Sequence, residues 1–231
     1  MMKKLSIIIP AYNEIKTIEA ILRKVKKVDL GEIEKEIVIV DDASTDGTAQ
    51  ILKKIRNSSI KILHHSKNMG KGAAIKTGLK QATGNIILIQ DADLEYDPKD
   101  YKKLIDPICE GKADVVYGSR LLGQRPTYSK FAYYAAGRSL TMLTNILYGA
   151  NITDEPCGYK VFKADIIKSI PLKCKGFEFC PEITAKISKR QIKIFEVPTS
   201  YMPRSREEGK KIKFKDWLIA VYTLIRYRFR D

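Results

Sequence analysis

Ile86-Ile87-Leu88-Ile89-Gln90-Asp91-Ala92-Asp93-Leu94-Glu95 is an apolar run that stops abruptly at two carboxylates one residue apart. A short branched apolar run behind Gly84-Asn85 predicts a buried strand, with Asp91 and Asp93 at or just past its carboxyl end. Residues two apart on a regular strand point to the same side. Both carboxylates can therefore converge on one hard cation, with Glu95 as a third oxygen donor. Open, oxygen-rich sites of this kind suit Mg²⁺ or Mn²⁺ shared with a substrate phosphate. In isolation the same pattern also reads as a solvated acidic turn, so the flanking segments have to decide.

Toward the amino terminus those segments repeat one theme. Residues 5–9 predict a strand closed by Pro10, which cannot donate to a ladder. Ile18, Ile21, Leu22 and Val25 recur at helical spacing. Residues 36–40 predict a second strand, and the polar turn 41–48 feeds a helix over 49–55 that Thr45 or Asp46 can cap. A third strand over 60–64 leads through Asn68-Met69-Gly70-Lys71-Gly72 into a helix ending near Ala82. After the 86–89 strand come a helix over 98–109 and the segment 114–120. Strand and helix in alternation predict an α/β fold, a mainly parallel mixed sheet with helices on both faces. Ligands of such sheets bind at the carboxyl ends of the strands. That rule puts residues 10–14, Asp41-Asp42, the 68–72 loop and Asp91/Asp93 on one rim.

Beyond residue 120 the alternation stops. The sequence predicts a loop at 155–160, a helix opened by residues 176–182 and running to Lys189, a strand over 192–197, a basic loop over 204–213 and a final helix over 214–229. These expectations describe a single domain: a nucleotide-binding half (1–120), an acceptor-side half (121–213) and a C-terminal amphipathic helix (214–231).

With 231 residues, 44% of them hydrophobic, the chain can bury a sizeable core. Forty-two Lys and Arg against 27 Asp and Glu leave a formal charge of +15, which favours anionic partners: nucleotides, nucleic acid or an acidic membrane surface. Cys109, Cys157, Cys174 and Cys180 form no C-x-x-C pair, so neither a zinc site nor a disulfide framework is indicated. The apolar run before Pro10 is too short for a secretory signal, which predicts a cytoplasmic location. Residues 131–153 carry one charge, Arg138, but Gly137, Ser139, Thr141, Thr144 and Asn145 interrupt the apolar side chains. A half-buried or interfacial helix is expected there instead of a span. The tail 210–230 sets Trp217, Tyr222 and Tyr227 between basic flanks. It suits a helix in the headgroup zone of a membrane or one packed on the sheet.

Gly70-Lys71-Gly72 is followed by Ala73, so the full phosphate-loop pattern is absent. Taken together, residues 10–14 (PAYNE), 40–48 (VDDASTDGT), 68–74 (NMGKGAA), 91–95 (DADLE) and 118–120 (GSR) resemble the family 2 glycosyltransferases of the GT-A fold, with the dolichol-phosphate mannose synthase group as the nearest likeness. Residues 153–162 and 176–182 extend the likeness into the second half. The resemblance implies that Pro10, Tyr12, Glu14, Val40 and Asp42 hold the base and ribose of a GDP- or UDP-hexose, with Lys71 beside them. It also implies that Asp91, Ala92 and Asp93 hold the ribose-diphosphate and metal, and that Arg120, Arg204, Arg206 and Lys210 lie near sugar or phosphates. Glu95 stands where the synthases often carry Gln.

The implied activity is inverting, metal-dependent transfer of a hexose to a polyprenyl phosphate at the cytoplasmic face of a membrane. An ionised lipid phosphate needs no strong base, whereas a sugar hydroxyl does. For that second acceptor Asp154 and Glu182 are the candidate bases. A sugar-1-phosphate nucleotidyltransferase would carry a glycine-rich loop after its first strand, where residues 10–14 stand instead. A nucleic-acid module accounts for the charge but not for the carboxylates, so no nucleic-acid partner is expected.

Overall fold

The computed structural model describes residues 3–122, 131–205 and 209–230. Its elements follow in chain order as β1 (Lys4–Ala11), α1 (Ile18–Lys27), β2 (Glu34–Asp41), α2 (Thr48–Lys53), β3 (Ile60–His64), α3 (Lys71–Gln81), β4 (Ile86–Ile89), α4 (Tyr101–Cys109, entered through a 3₁₀ turn at Pro98–Asp100) and β5 (Val115–Ser119). Then come α5 (Phe131–Tyr148), β6 (Lys160–Lys163), α6 (Ala164–Ser169), α7 (Phe179–Lys189), β7 (Ile194–Pro198) and α8 (Phe214–Phe229). The seven strands form one sheet in the order β3-β2-β1-β4-β6-β5-β7. All pairings are parallel except those of β6, which runs antiparallel to both β4 and β5.

Alternation along β1 builds the two layers. Leu5, Ile7 and Ile9 face the helices α1, α2 and α4 through Ile18, Ile21, Leu52 and Leu104. Ile8 faces the opposite side, where Ile75 and Leu79 of α3 and Ile183 and Ile187 of α7 close the core. Gly78 lets α3 lie close to the sheet, since a Cβ there would come within 2.5 Å of Ile8 Cγ2. A third cluster joins α5 and α8 through Leu140, Ala220 and Leu224.

Pro10 does not end β1 as the sequence predicts; the strand continues to Ala11 in register with β2. Gln90 N donates to Ile8 O, so even-numbered residues of β1 turn their backbone groups toward β4. Since β4 ends at Ile89, the missing N–H of Pro10 falls where no partner strand remains. The segment read as loop up to Lys160 passes directly into β6, which the alternation argument did not foresee. Among the described residues, no helix is long and apolar enough to cross a membrane.

Candidate active site

A cleft of about 790 Å³ opens at the carboxyl ends of β1, β2 and β4. Pro10, Tyr12, Glu14, Asp42, Lys71, Asp91, Ala92, Asp93, Glu95, Arg120, Arg204 and Lys210 all line it, so segments far apart in sequence do share one hollow. Val40 does not reach it; its side chain is fully buried in the core. Arg206 lies outside the described residues.

The acidic wall is set by anchored backbone. Gln90, fully buried, accepts hydrogen bonds from Tyr101 Oη at 2.7 Å and Tyr159 Oη at 2.9 Å, and its amide donates to Asp91 O at 2.8 Å. That fixes the chain where β4 delivers its first carboxylate. Leu94 takes φ +63°, turning the chain so that Glu95 N donates to Asp93 Oδ1 at 3.1 Å. Gly158 packs against this wall, since a Cβ there would lie 2.5 Å from Asp91 Oδ2.

Each carboxylate already has a cation of the chain itself. Lys71 Nζ lies 2.5 Å from Asp91 Oδ1. Burial lowers the Lys71 pKa most, but the charge and hydrogen bond of Asp91 together with the charges of Cys180 and Asp93 outweigh it, and the ammonium is held above its usual range. Arg204 Nη2 lies 2.9 Å from Asp93 Oδ2, and its Nη1 lies 3.1 Å from Glu14 Oε2. Lys211 Nζ donates to Glu14 Oε1 at 2.6 Å and also to Tyr12 O. Sequence reasoning missed Lys211 as a site residue because nothing in the basic run 204–213 singles it out. Asp93 remains under-compensated: burial, then the charges of Asp91 and Glu95, push its carboxyl up to about 7 against the pull of Arg204.

Several expected roles change in place. Glu95 is not turned toward a shared ion with Asp91 and Asp93. Its Oε1 accepts Arg204 N at 2.8 Å and its Oε2 accepts Tyr201 Oη at 3.0 Å, so it fastens the 201–204 segment over the cleft. Asp42 accepts from Met69 N at 2.8 Å, Gly70 N at 2.7 Å and His65 Nδ1 at 2.6 Å. It clamps the 68–70 loop and keeps about one of its roughly four lone-pair positions for a ligand. Gly70 can close that loop because it adopts φ +92° and a Cβ would collide with Lys175 O at 2.4 Å.

Neither candidate base lines the cleft. Asp154 is buried and takes Arg120 in a fork, Nε to Oδ2 and Nη2 to Oδ1, both at 2.7 Å. Burial raises the Asp154 pKa, but the guanidinium prevails and holds it below the usual carboxylate range. Glu182 is buried and accepts from Lys173 N, Cys174 N, Lys186 Nζ and Tyr227 Oη, which ties α7 to α8. Both carboxylates serve as structural anchors.

Among the described residues no three His, Cys, Asp or Glu side chains converge on one point. Asp91 and Asp93 nonetheless fit a magnesium-type ion as a partial donor set: two hard oxygen donors on one wall, where burial and then the charges of Asp91 and Glu95 disfavour the ionised Asp93 carboxyl, a condition that a cation would relieve. Such ions draw their remaining ligands from substrate phosphate and water.

The description "Glycosyl transferase family 2" matches residues 6–170. The "UDP-N-acetylglucosamine--dolichyl-phosphate N-acetylglucosaminyltransferase" of Methanococcus voltae is 30% identical over 232 residues, 91% of this chain and 91% of its own. The "Dolichol-phosphate mannosyltransferase" of Pyrococcus furiosus is 29% identical over 97% of this chain, which spans 64% of that relative's length. Among solved structures, glucosyl-3-phosphoglycerate synthase from Mycobacterium tuberculosis in complex with Mn²⁺, UDP and glucosyl-3-phosphoglycerate superposes with TM-score 0.74 at 18% identity, over 98% of this chain and 80% of that one. The mixed sheet, its flanking helices and the cleft at the strand ends are those of a GT-A glycosyltransferase. The chain belongs to glycosyl transferase family 2.

Proposed function

We propose that this chain is an inverting, metal-dependent hexosyltransferase that moves a sugar from a GDP- or UDP-hexose to a polyprenyl phosphate at the cytoplasmic face of a membrane. The observation that carries the reading is the two-sided cleft. One end offers Asp91, Asp93, Arg120 and Arg204, and the other is lined by Ala136, Leu140, Trp217 and Ala220 of α5 and α8. A diphosphate suits the first end and a prenyl chain the second. The two curated relatives differ by name in the sugar and share the dolichyl phosphate.

On this reading Asp42 and residues 10–14 receive the nucleoside, and Asp91 and Asp93 hold Mg²⁺ or Mn²⁺ against the diphosphate. Lys71 and Arg204, now neutralised by those carboxylates, are released to phosphate when it enters, while Lys210 and Arg120 face it from the cleft wall, Arg120 still held by Asp154. A bound divalent ion would stabilise negative charge on the leaving diphosphate, and guanidinium and ammonium groups do the same. The acceptor phosphate is ionised near neutral pH, which agrees with Asp154 and Glu182 being committed elsewhere.

The outer faces of α5 and α8 support the membrane surface. Phe131, Met142 and Ile146 on α5, and Phe214, Tyr222 and Phe229 on α8, are exposed, beside Lys213, Lys215, Arg226, Arg228 and Arg230. Such a face buries apolar area in the headgroup zone and attracts anionic lipid. The chain is expected to co-sediment with phosphatidylserine-containing vesicles at low salt, and Phe214→Ser with Phe229→Ser to leave most of it in the supernatant. Equal sedimentation of both proteins would remove this face from the account, and a chain that stays in the supernatant would remove the membrane. The activity itself is tested by radiolabel transfer from a panel of GDP- and UDP-hexoses to polyprenyl phosphate with Mn²⁺ or Mg²⁺. A labelled prenyl-phosphate sugar is expected, whereas label found only on added glycans would replace the lipid acceptor.

A further inference from the structure

Glu155 is the one acid of the cleft lining with a fully buried side-chain oxygen that has no hydrogen-bond partner among the described residues. It sits between α5 and β6 and is fully buried. Its main chain is secured, with N donating to Thr141 Oγ1 at 3.1 Å and O accepting from Lys160 Nζ at 2.8 Å. Its Oε2 has no hydrogen-bond partner, and its Oε1 lies 3.4 Å from Thr184 Oγ1. Thr184 has a single proton to give, and its hydroxyl donates to Cys180 O at 2.8 Å. The Lys160 ammonium leans over the Tyr117 ring at 3.6 Å and spends its hydrogen bond on the Glu155 carbonyl instead of the carboxylate. A buried oxygen left without a partner is destabilising, a condition that a hydrogen-bonding ligand can remove.

We infer that Glu155 is a specificity-determining residue whose unpaired oxygen bonds a hydroxyl of the transferred hexose. The inference rests on the donor reading above. Gly158, three residues on, packs against Asp91, so the 155–158 loop runs along the wall assigned to the diphosphate, and a sugar attached to that diphosphate lies over it. A phosphate, of donor or acceptor, is repelled by a carboxylate, and the divalent ion is already assigned to Asp91 and Asp93. A neutral, polyhydroxylated group is what remains. Burial pushes the Glu155 carboxyl up to about 7, so it can present either an acceptor or a donor to a hydroxyl.

The test is calorimetric titration of the full chain with Mn²⁺, comparing wild type, Glu155→Ala and Glu155→Gln. The ligands are UDP and GDP, the matching hexose nucleotides and their series of single deoxyhexoses. The bare nucleotide is expected to bind all three proteins alike, while the intact hexose nucleotide binds Glu155→Ala about tenfold more weakly. One deoxy donor is expected to lose about tenfold on wild type and nothing further on the variant, the signature of a direct pair. Glu155→Gln keeps the volume and carries the comparison if the alanine variant does not fold. Equal losses on wild type and variant for every deoxy donor would overturn the inference and leave Glu155 holding a water. A donor Kd unchanged in Glu155→Ala would overturn it. Absence of nucleotide binding to wild type would overturn the donor reading itself, and this inference with it.

Discussion

Asp93→Asn is expected to slow sugar transfer by about 10²–10³-fold, the usual cost of losing one preorganised group that stabilises transition-state charge. The same substitution is expected to raise thermal stability at pH 7–8 in metal-free buffer, and the two effects have one origin. The folded-state pKa of Asp93 is raised from 3.8 to about 7 by burial and by the charges of Asp91 and Glu95. Between those values the folded chain keeps a proton that the unfolded chain has released. Stability from this group is therefore fully present below about pH 4 and is lost as pH rises through about 7. Asparagine removes that slope, and Arg204 keeps Glu14 as a partner. Melting curves from pH 5 to 8 check the stability claim, and single-turnover transfer checks the rate. Undiminished transfer by Asp93→Asn would remove Asp93 from the chemistry.

Asp154→Ala is expected to cost about 3–5 kcal/mol of folding stability, the loss seen when one partner of a buried ion pair is removed. Its carboxylate accepts Arg120 N, Nε and Nη2, and Arg120 in turn lies over the Tyr201 ring at 5.0 Å. Tyr201 donates to Glu95, so loosening Arg120 should also free the 201–204 segment from the cleft. Urea denaturation gives the stability and donor titration gives the site consequence. A variant of wild-type stability with transfer abolished would restore Asp154 as a catalytic base.

The donor half was legible because buried parallel strands write themselves as apolar runs, and 36–40, 60–64 and 86–89 each end in the polar residues that line or brace the rim. The carboxyl-end rule then gathers those residues without any knowledge of the loops between them. The second half was less legible for definite reasons. β6 begins at Lys160, and a fully buried lysine at a strand start does not announce a strand. Its insertion antiparallel between β4 and β5 depends on partners more than 40 residues away. The fates of Glu95, Asp154 and Glu182 were hidden for the same reason. Glu95 is spent on Arg204 more than 100 residues on, Asp154 on Arg120 in another segment, and Glu182 on Tyr227 of α8 as well as on its helix neighbour Lys186, and the distant partners are not written beside the carboxylate. Glu155 reads in the sequence only as the first residue of the loop at 155–160, because an unpaired oxygen is a property of packing and not of residue type.

The central claim is that Asp91 and Asp93 hold a divalent ion against a sugar diphosphate at the end of β4. Crystals of the chain grown with Mn²⁺ and GDP or UDP, measured for anomalous scattering, test it most directly. The account requires one manganese peak bridging the diphosphate and at least one of these two carboxylates, with Arg204 withdrawn from Asp93. A nucleotide bound in the cleft with manganese absent from that wall, or manganese seated elsewhere on the chain, would contradict it.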